Sequence, residues 1–160
     1  MKVLFLDYNG VIDTWQNFDE INPDNLQRLK KILEETGAKV VISSSTKTSY
    51  FYTGHFNPVF IKITKGLIDA GIEVIDITPL ASSKDKEIEL YLINHPEVKE
   101  FCILDDEGKM EQFKEHFVKL PVQSAENPNG LSDEHVKQAI SILNRNIKKE
   151  QSPILKKTKS

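Results

Sequence analysis

The sequence is poor in cysteine and has no long apolar segment. Cys102 is the only cysteine among 160 residues, so an internal disulfide is impossible. A lone thiol is typical of a reducing compartment, and we expect a cytoplasmic protein. The longest apolar runs fall far short of the roughly 18 residues that a membrane-spanning helix needs, which predicts no membrane segment. The N-terminal apolar run stops at Asp7, and we therefore expect no secretory signal peptide.

Length and charge predict one domain with a basic end. A chain of 160 residues can form one domain that buries most of its apolar surface, and it is too short for two of ordinary size. The formal net charge is −3, yet residues 148–160 hold five lysines and one glutamate. We divide the chain into a globular domain at 1–147 and a flexible basic C-terminal tail at 148–160. The tail is interpreted as a solvated end; the alternative is a weak tether to an acidic partner such as nucleic acid.

Short apolar runs alternate with apolar residues at helical spacing. The runs predict buried strands at 3–6, 39–42, 72–77, 101–104 and 117–120. Capping residues predict helices that follow Asn22, Ser83 and Ser132, the first ending at Gly37 and the last reaching Ile147, and a further helix is predicted around Pro58 to Ala70. Because strands that alternate with helices need crossover connections, we predict a three-layer, Rossmann-like α/β fold with a central, mostly parallel five-stranded sheet.

Reactive polar residues follow three of the predicted strands. Asp7 and Asn9 follow the first strand, serines 43–45 follow the second, and Asp105 and Asp106 follow the fourth. The carboxyl ends of parallel strands meet at one edge of a sheet, where ligands of open α/β sheets bind. The sequence therefore predicts one site that combines carboxylates with hydroxyls.

The first of these segments resembles a known nucleophile motif. Four apolar residues followed by Asp7-Tyr8-Asn9-Gly10 are similar to the Asp-x-Asp-Gly motif of the haloacid dehalogenase (HAD) superfamily. The resemblance implies a phosphatase in which Asp7 attacks phosphorus and forms an aspartyl phosphate. Asn9 stands where the family has the residue that protonates the leaving oxygen and later activates water, and an amide cannot exchange a proton at ordinary pH.

The same resemblance implies a magnesium site. The direct ligands of Mg²⁺ would be Asp7, the backbone carbonyl of Asn9 and Asp106. Asp105 would not bind the metal directly but would hold these ligands in place. Magnesium takes oxygen ligands, which is the donor type that these residues offer. Adjacent carboxylates buried without a cation would repel each other and be costly to desolvate.

Two further residues are expected to bind phosphate. Ser44 matches the hydroxyl of the second family motif, with Ser43 as the runner-up; the alternative is that serines 43–45 only satisfy backbone groups where the chain leaves the sheet. Lys84 matches the phosphate-binding cation, with Lys86 as the competitor. A lysine in the first turn of a helix faces the positive end of the helix dipole, so it favours an anion nearby.

The short connections between motifs leave no room for a cap domain. An uncovered sheet edge cannot enclose a small molecule and exclude water, so we expect a phosphorylated macromolecule, a nucleic acid end or a phosphoprotein. The runs at 41–45, 78–84 and 103–106 resemble the capless HAD domains of RNA repair proteins. Those relatives have Trp-Arg after the serines, where this chain has Thr46-Lys47.

Other interpretations stay open. A catalytically weak or inactive module that binds phosphate groups of nucleic acid or protein would retain the same residues. A phosphoacceptor receiver domain is less favoured, because its acid pair follows the first strand and not the fourth.

Trp15 and the histidines are not assigned to the chemistry of the site. Trp15 either flanks a substrate or packs in the interior. The four histidines show no ligand spacing and are interpreted as surface or capping residues: His55, His95, His116 and His135.

Overall fold

Five strands form one parallel sheet in the order β3-β2-β1-β4-β5. The computed structural model describes residues 1–108 and 110–145. The strands are β1 (Lys2–Leu6), β2 (Lys39–Ile42), β3 (Val74–Ile77), β4 (Glu100–Asp105) and β5 (Phe117–Lys119). The predicted parallel, five-stranded α/β fold is confirmed. Ile147 and the tail at 148–160 lie outside the described residues, so the division of the chain at residue 147 stays a prediction.

Five helices flank the sheet in the described ranges. They are α1 (Pro23–Thr36), α2 (Thr48–Thr53), α3 (Pro58–Asp69), α4 (Lys84–Asn94) and α5 (Asp133–Leu143). Helix α2 and two 3₁₀ segments, Ser45–Lys47 and Glu111–His116, were not predicted. Helix α2 buries none of its residues, so it lacks the apolar periodicity that reveals a helix in a sequence. Among the described residues, no helix is long and apolar enough to cross a bilayer.

Two predicted strands are longer than the observed ones by one or two residues, whereas the first and fourth strands extend one residue beyond their predicted bounds. The third strand begins at Val74 and not at Ile72, because Gly71 adopts a positive φ of 87° and the Ile72 N–H donates to the Leu67 carbonyl at the end of α3. The fifth strand ends at Lys119 and not at Leu120. Both errors place turn residues inside a strand.

Two of the predicted helix caps form side-chain hydrogen bonds and a third does not. The Asn22 side chain accepts the Asn25 N–H at 3.0 Å, and Ser132 forms a capping box with His135. Ser83 occupies the N-cap position of α4 without a side-chain cap bond, because its hydroxyl pairs with the Asp85 carboxylate instead. The first turn of α4 is thus left without a side-chain oxygen from Ser83.

The two faces of β1 pack against different helices, which decides where the site lies. Leu4 and Leu6 join the larger core cluster with residues of α1, α3 and α5. Val3 and Phe5 join a smaller cluster with Ile88 of α4. Because side chains alternate along a strand, the residue after Leu6 points to the α4 side of the sheet.

Candidate active site

Asp7 and Asp105 lie level with each other at the carboxyl edge of the sheet. Leu6 pairs with Leu104 in the β1–β4 register, and the Asp7 N–H continues the ladder by donating to the Leu104 carbonyl at 3.1 Å. Side chains alternate between the two faces of the sheet along a strand, so both carboxylates lie on the same face as Phe5, which is the face that α4 covers. They are almost fully buried, with 4% and 0% of their surface exposed.

Lys84 is the first residue of α4 and reaches both carboxylates. Its Nζ atom lies 2.9 Å from Asp105 Oδ2, 3.4 Å from Asp7 Oδ1 and 3.8 Å from Glu107 Oε2. Burial lowers the pKa of Lys84, but the charges of Asp7 and Asp105 raise it by more, so the net shift is upward. The ammonium therefore stays charged at neutral pH and neutralises part of the negative charge of the site.

Asp106 completes a cluster of three carboxylates. Asp7, Asp105 and Asp106 each offer an oxygen, and these oxygens lie within 4.8 Å of one another. Burial and the nearby charge of Asp105 raise the pKa of Asp7 well above its ordinary value and raise the pKa of Asp106 to about 6. Three carboxylates against one ammonium leave an excess of negative charge on hard oxygen donors, so the residues fit a divalent cation such as Mg²⁺.

Gly10 makes the close approach of Asp106 possible. Gly10 has a φ of 89°, and a Cβ atom placed on it would lie 2.1 Å from Asp106 Oδ2. Any larger residue at this position would both strain the backbone and push the carboxylate away. The glycine of the first motif therefore provides space for the acid of the fourth strand.

The Asn9 side chain is fixed by two acceptors. Its Nδ2 atom donates to Asp13 Oδ2 at 3.0 Å and to the Phe18 carbonyl at 2.9 Å. Asp13 is fully buried and also accepts the Gly10 N–H at 2.8 Å. Burial raises the pKa of Asp13, although the hydrogen bonds from Asn9 and Gly10 oppose the rise. Sequence reasoning missed Asp13, whose only signal was a carboxylate four residues after Asn9 in a largely apolar stretch.

The three serines after β2 have different environments. The Ser43 hydroxyl is buried and has no hydrogen-bond partner among the described residues. The Ser44 hydroxyl is buried and lies 2.9 Å from Thr46 Oγ1, at the start of the 3₁₀ turn. Ser45 lines the cleft that contains Asp7. The assignment of Ser44 as the phosphate ligand stays a prediction.

Comparison with known families agrees with this geometry. Residues 3–136 match the model of a family described as the HAD domain in Swiss Army Knife RNA repair proteins. The chain belongs to this family. The superfamily resemblance seen in the motifs is thereby confirmed, and the match includes all the segments that supply the carboxylates and Lys84. No curated protein and no solved structure matched the chain.

The cleft of this HAD domain has a volume of about 270 Å³. Trp15 and Phe18, in the loop after β1, form part of its wall, with their rings edge to face and centroids 6.2 Å apart. Trp15 thus borders the cleft, and Phe18 is a wall residue that sequence reasoning missed. The lining residues are Asp7, Asn9, Gly10, Trp15, Phe18, Ser45, Lys84, Asp106, Glu107, Val122 and Gln123.

Sequence reasoning also missed a buried ion pair between the 3₁₀ segment after β2 and helix α4. The Lys47 Nζ atom lies 2.9 Å from Glu87 Oε1, and the second Glu87 oxygen accepts the Ala81 N–H at 3.3 Å. Burial lowers the pKa of Lys47, although the hydrogen bond and charge of Glu87 oppose this shift. Lys47 stands where the relatives noted above have arginine, and this cationic position was the available signal.

The competing lysine and the histidines lie elsewhere in the HAD domain. Lys86 is exposed and pairs with Glu89 at 3.1 Å, so it does not share the carboxylates with Lys84. His135 caps α5 and His55 is exposed, as predicted. His116 is half-buried, and its ring stacks on Phe101 with centroids 3.9 Å apart.

Proposed function

We propose that this HAD domain is a magnesium-dependent phosphohydrolase that acts through an aspartyl phosphate on a phosphorylated macromolecule. The observation that carries the proposal is the convergence of Asp7, Lys84 and Asp106 at one edge of the sheet. The family of RNA repair proteins supports a nucleic acid end as the substrate, and a phosphoprotein is the alternative. The lone, buried Cys102 supports a cytoplasmic location.

In this mechanism, Asp7 is the nucleophile. One of its oxygens bonds to phosphorus while the bond from phosphorus to the leaving oxygen breaks, and water later hydrolyses the aspartyl phosphate. Lys84 lies 3.4 Å from Asp7 and would bind the phosphoryl oxygens while they approach the carboxylate. The Ser44 hydroxyl would donate to another phosphoryl oxygen.

The acidic residues would hold the metal. Asp7, the backbone carbonyl of Asn9 and Asp106 are the proposed direct ligands, and Asp105 would support them while it holds Lys84 at 2.9 Å. Bound Mg²⁺ supplies positive charge that offsets the repulsion between the carboxylate nucleophile and the phosphoryl oxygens.

The open edge of the site supports a large substrate. The family match runs from residue 3 to residue 136, and the described connections between strands contain no more than one 3₁₀ segment and the two helices α2 and α3, which lie between β2 and β3. Phe18 and Val122 border the cleft with 48% and 67% of their surface exposed. A polymer end can enter such a site without a lid.

The test is a screen of phosphorylated RNA, DNA and peptides with Mg²⁺, which compares the unmodified chain with Asp7→Asn and Asn9→Asp. We expect release of inorganic phosphate from RNA or DNA that Asp7→Asn abolishes and EDTA suppresses. For an activated aryl phosphate, Asn9→Asp should raise the rate at least about tenfold, because the new carboxylate can activate the water that hydrolyses the aspartyl phosphate, and general acid–base catalysis typically contributes about 10²–10⁴ in rate. Release that persists in Asp7→Asn contradicts the mechanism.

Asn9 favours one alternative, a module that binds phosphate without useful catalysis. This alternative predicts magnesium-dependent affinity for phosphorylated ligands with no phosphate release from any of them, before or after Asn9→Asp. Mass spectrometry of the intact chain after incubation with each ligand separates the two functions, because only the enzyme forms a phosphorylated Asp7.

A further inference from the structure

We propose that this site selects phosphoryl groups whose leaving group departs without a proton, and that its substrate is a nucleic acid end that carries a phosphoanhydride, such as a 5′-triphosphate. The inference rests on the proposed function and concerns which phosphate the enzyme accepts. It follows from how the fold holds Asn9.

Both amide hydrogens of Asn9 are already used within the protein. Nδ2 donates to Asp13 Oδ2 at 3.0 Å and to the Phe18 carbonyl at 2.9 Å. A backbone carbonyl can only accept, so the NH₂ group must be the end of the amide that faces Phe18. Asn9 lines the cleft, and its remaining polar side-chain atom, Oδ1, can accept a hydrogen bond but cannot donate one. Asn9 therefore offers no proton to a departing oxygen.

The neighbouring groups do not replace the missing acid. Asp13 has no exposed surface, and its two carboxylate oxygens accept from Asn9 and from the Gly10 N–H. The Lys84 ammonium donates to Asp105 at 2.9 Å and lies 3.4 Å from Asp7, so it lies on the nucleophile's side of phosphorus, whereas the leaving oxygen departs in line on the opposite side. Among the described residues that line the cleft, Asp106 is a proposed metal ligand, and Glu107 is 70% exposed and faces the Lys84 ammonium at 3.8 Å.

Because no group among the described residues is placed to donate a proton to the leaving oxygen, the site favours a leaving group that is a stable anion. When Asp7 attacks the terminal phosphorus of a 5′-triphosphate, the bond to the bridging oxygen breaks and its electron pair leaves with the nucleic acid diphosphate. That product is a stable anion, since the second pKa of a phosphate is about 6. A monoester would have to expel an alkoxide, a far stronger base, and without an acid this step is slowed by about 10²–10⁴.

The second step, hydrolysis of the aspartyl phosphate, can proceed without Asn9 as a base. A water oxygen bonds to phosphorus, the bond from phosphorus to Asp7 breaks, and the carboxylate and inorganic phosphate are released while a proton passes to solvent. Because Asn9 cannot accept that proton, hydrolysis of the aspartyl phosphate is slow. We therefore expect a burst of the nucleic acid diphosphate, which leaves in the first step, followed by slower turnover and slower release of inorganic phosphate.

The test uses one RNA oligomer in two forms, with a 5′-triphosphate or a 5′-monophosphate end, and the full chain with Mg²⁺. We expect the first step, followed in a single turnover as release of the RNA product and phosphorylation of Asp7, to be at least about 100-fold faster with the triphosphate than with the monophosphate. In a series of aryl phosphates, the rate of phenol release in this first turnover should fall steeply as the leaving phenol becomes less acidic. Asn9→Asp should flatten this dependence, because a carboxyl group can carry the proton. Asn17→Asp, which adds the same charge at an exposed position of the same loop, should not.

The outcomes separate the two proposals. Comparable rates on the two RNA ends, or a shallow dependence on leaving-group acidity in the unmodified chain, overturn the inference and leave the phosphohydrolase intact. Neither measurement needs a variant, so a poorly folded Asn9→Asp does not block the test. Absence of any Asp7-dependent phosphoenzyme or phosphate release, from anhydrides and esters alike, overturns the proposed function itself.

Discussion

Lys47 and Glu87 form a buried ion pair that joins the turn after β2 to the first part of α4. The two side chains are 1% and 9% exposed, and their charged atoms are 2.9 Å apart. Lys47 Nζ also lies 3.4 Å from the Ser44 carbonyl. The pair thus connects the serine segment with the helix that begins at Lys84.

Removal of one partner should strongly destabilise the fold. Lys47→Met leaves the Glu87 carboxylate buried without its cation, and such changes typically cost about 3–5 kcal/mol. We expect that loss in the free energy of unfolding, measured by urea denaturation.

A double variant serves as the control for this pair. Lys47→Met combined with Glu87→Gln removes both charges and keeps an acceptor for the Ala81 N–H, so most of the stability should return. A cost below about 1 kcal/mol for Lys47→Met alone, a value typical of exposed ion pairs, would show that the pair is not buried as described.

Gly10→Ala should disable the metal site. The new methyl group would lie 2.1 Å from Asp106 Oδ2, and the positive φ of 89° adds strain of about 1–3 kcal/mol. We expect a lower melting temperature, loss of the stabilisation by Mg²⁺ and loss of phosphate release.

Gly37→Ala is the matched control for Gly10→Ala. Gly37 has a φ of 73°, and a Cβ atom there meets nothing within 4 Å. It should show the backbone strain alone, with an unchanged response to Mg²⁺. If the two variants respond to Mg²⁺ alike, the contact between Gly10 and Asp106 does not shape the site.

Lys84→Met should weaken catalysis far more than Lys86→Met. Hydrogen bonds to charged groups are worth about 1.5–3 kcal/mol, which corresponds to roughly ten- to hundredfold in kcat/KM. We expect this loss for Lys84, which approaches Asp7 and Asp105. Lys86 is exposed and pairs with Glu89, so its variant should match the unmodified chain. An equal loss in both would favour a general electrostatic effect over a specific phosphate contact.

The approach of the acidic residues could be predicted because it depends on backbone register. Apolar runs of strand length and intervening helical stripes imply parallel strands, and parallel strands bring their carboxyl ends together. Asp7 and Asp105 meet for this reason, and the α4 side of the sheet brings Lys84 to them.

The contacts of Asn9 and Lys47 depend on features that have no short-range signal. The loop after β1 turns at Gln16, which has a φ of 70°, and Thr14 forms an isolated bridge with Asn129. This loop places the Phe18 carbonyl beside Asn9. Glu87 meets Lys47 across 40 positions of sequence. Such pairs arise from tertiary packing, which local patterns do not encode.

Stability in the absence of metal should fall as pH rises through the range in which the carboxylates ionise. The pKa of Asp106 is raised by burial to about 6 and that of Asp7 is also raised, whereas an unfolded Asp has a pKa of about 3.9. The folded state therefore binds these protons more tightly. The contribution of these bound protons to the free energy of unfolding is fully present below about pH 4 and is lost as the pH passes about 6. Melting temperatures in EDTA across this range should decline accordingly, after comparison with Asp106→Asn.

Magnesium should reverse this loss, because a bound cation takes the place of the protons. At 100 times its dissociation constant, a ligand adds about 2.7 kcal/mol to the free energy of unfolding. We expect a larger Mg²⁺-induced rise in melting temperature at pH 7.5 than at pH 5. Asp106→Asn should be more stable than the unmodified chain in EDTA at pH 7.5 and should lose the response to Mg²⁺. Asp19→Asn, at an exposed aspartate that pairs with Lys62 at 3.4 Å, should keep it. A Mg²⁺ effect that is equal at both pH values, or that survives Asp106→Asn, would mean that the cation binds outside this cluster.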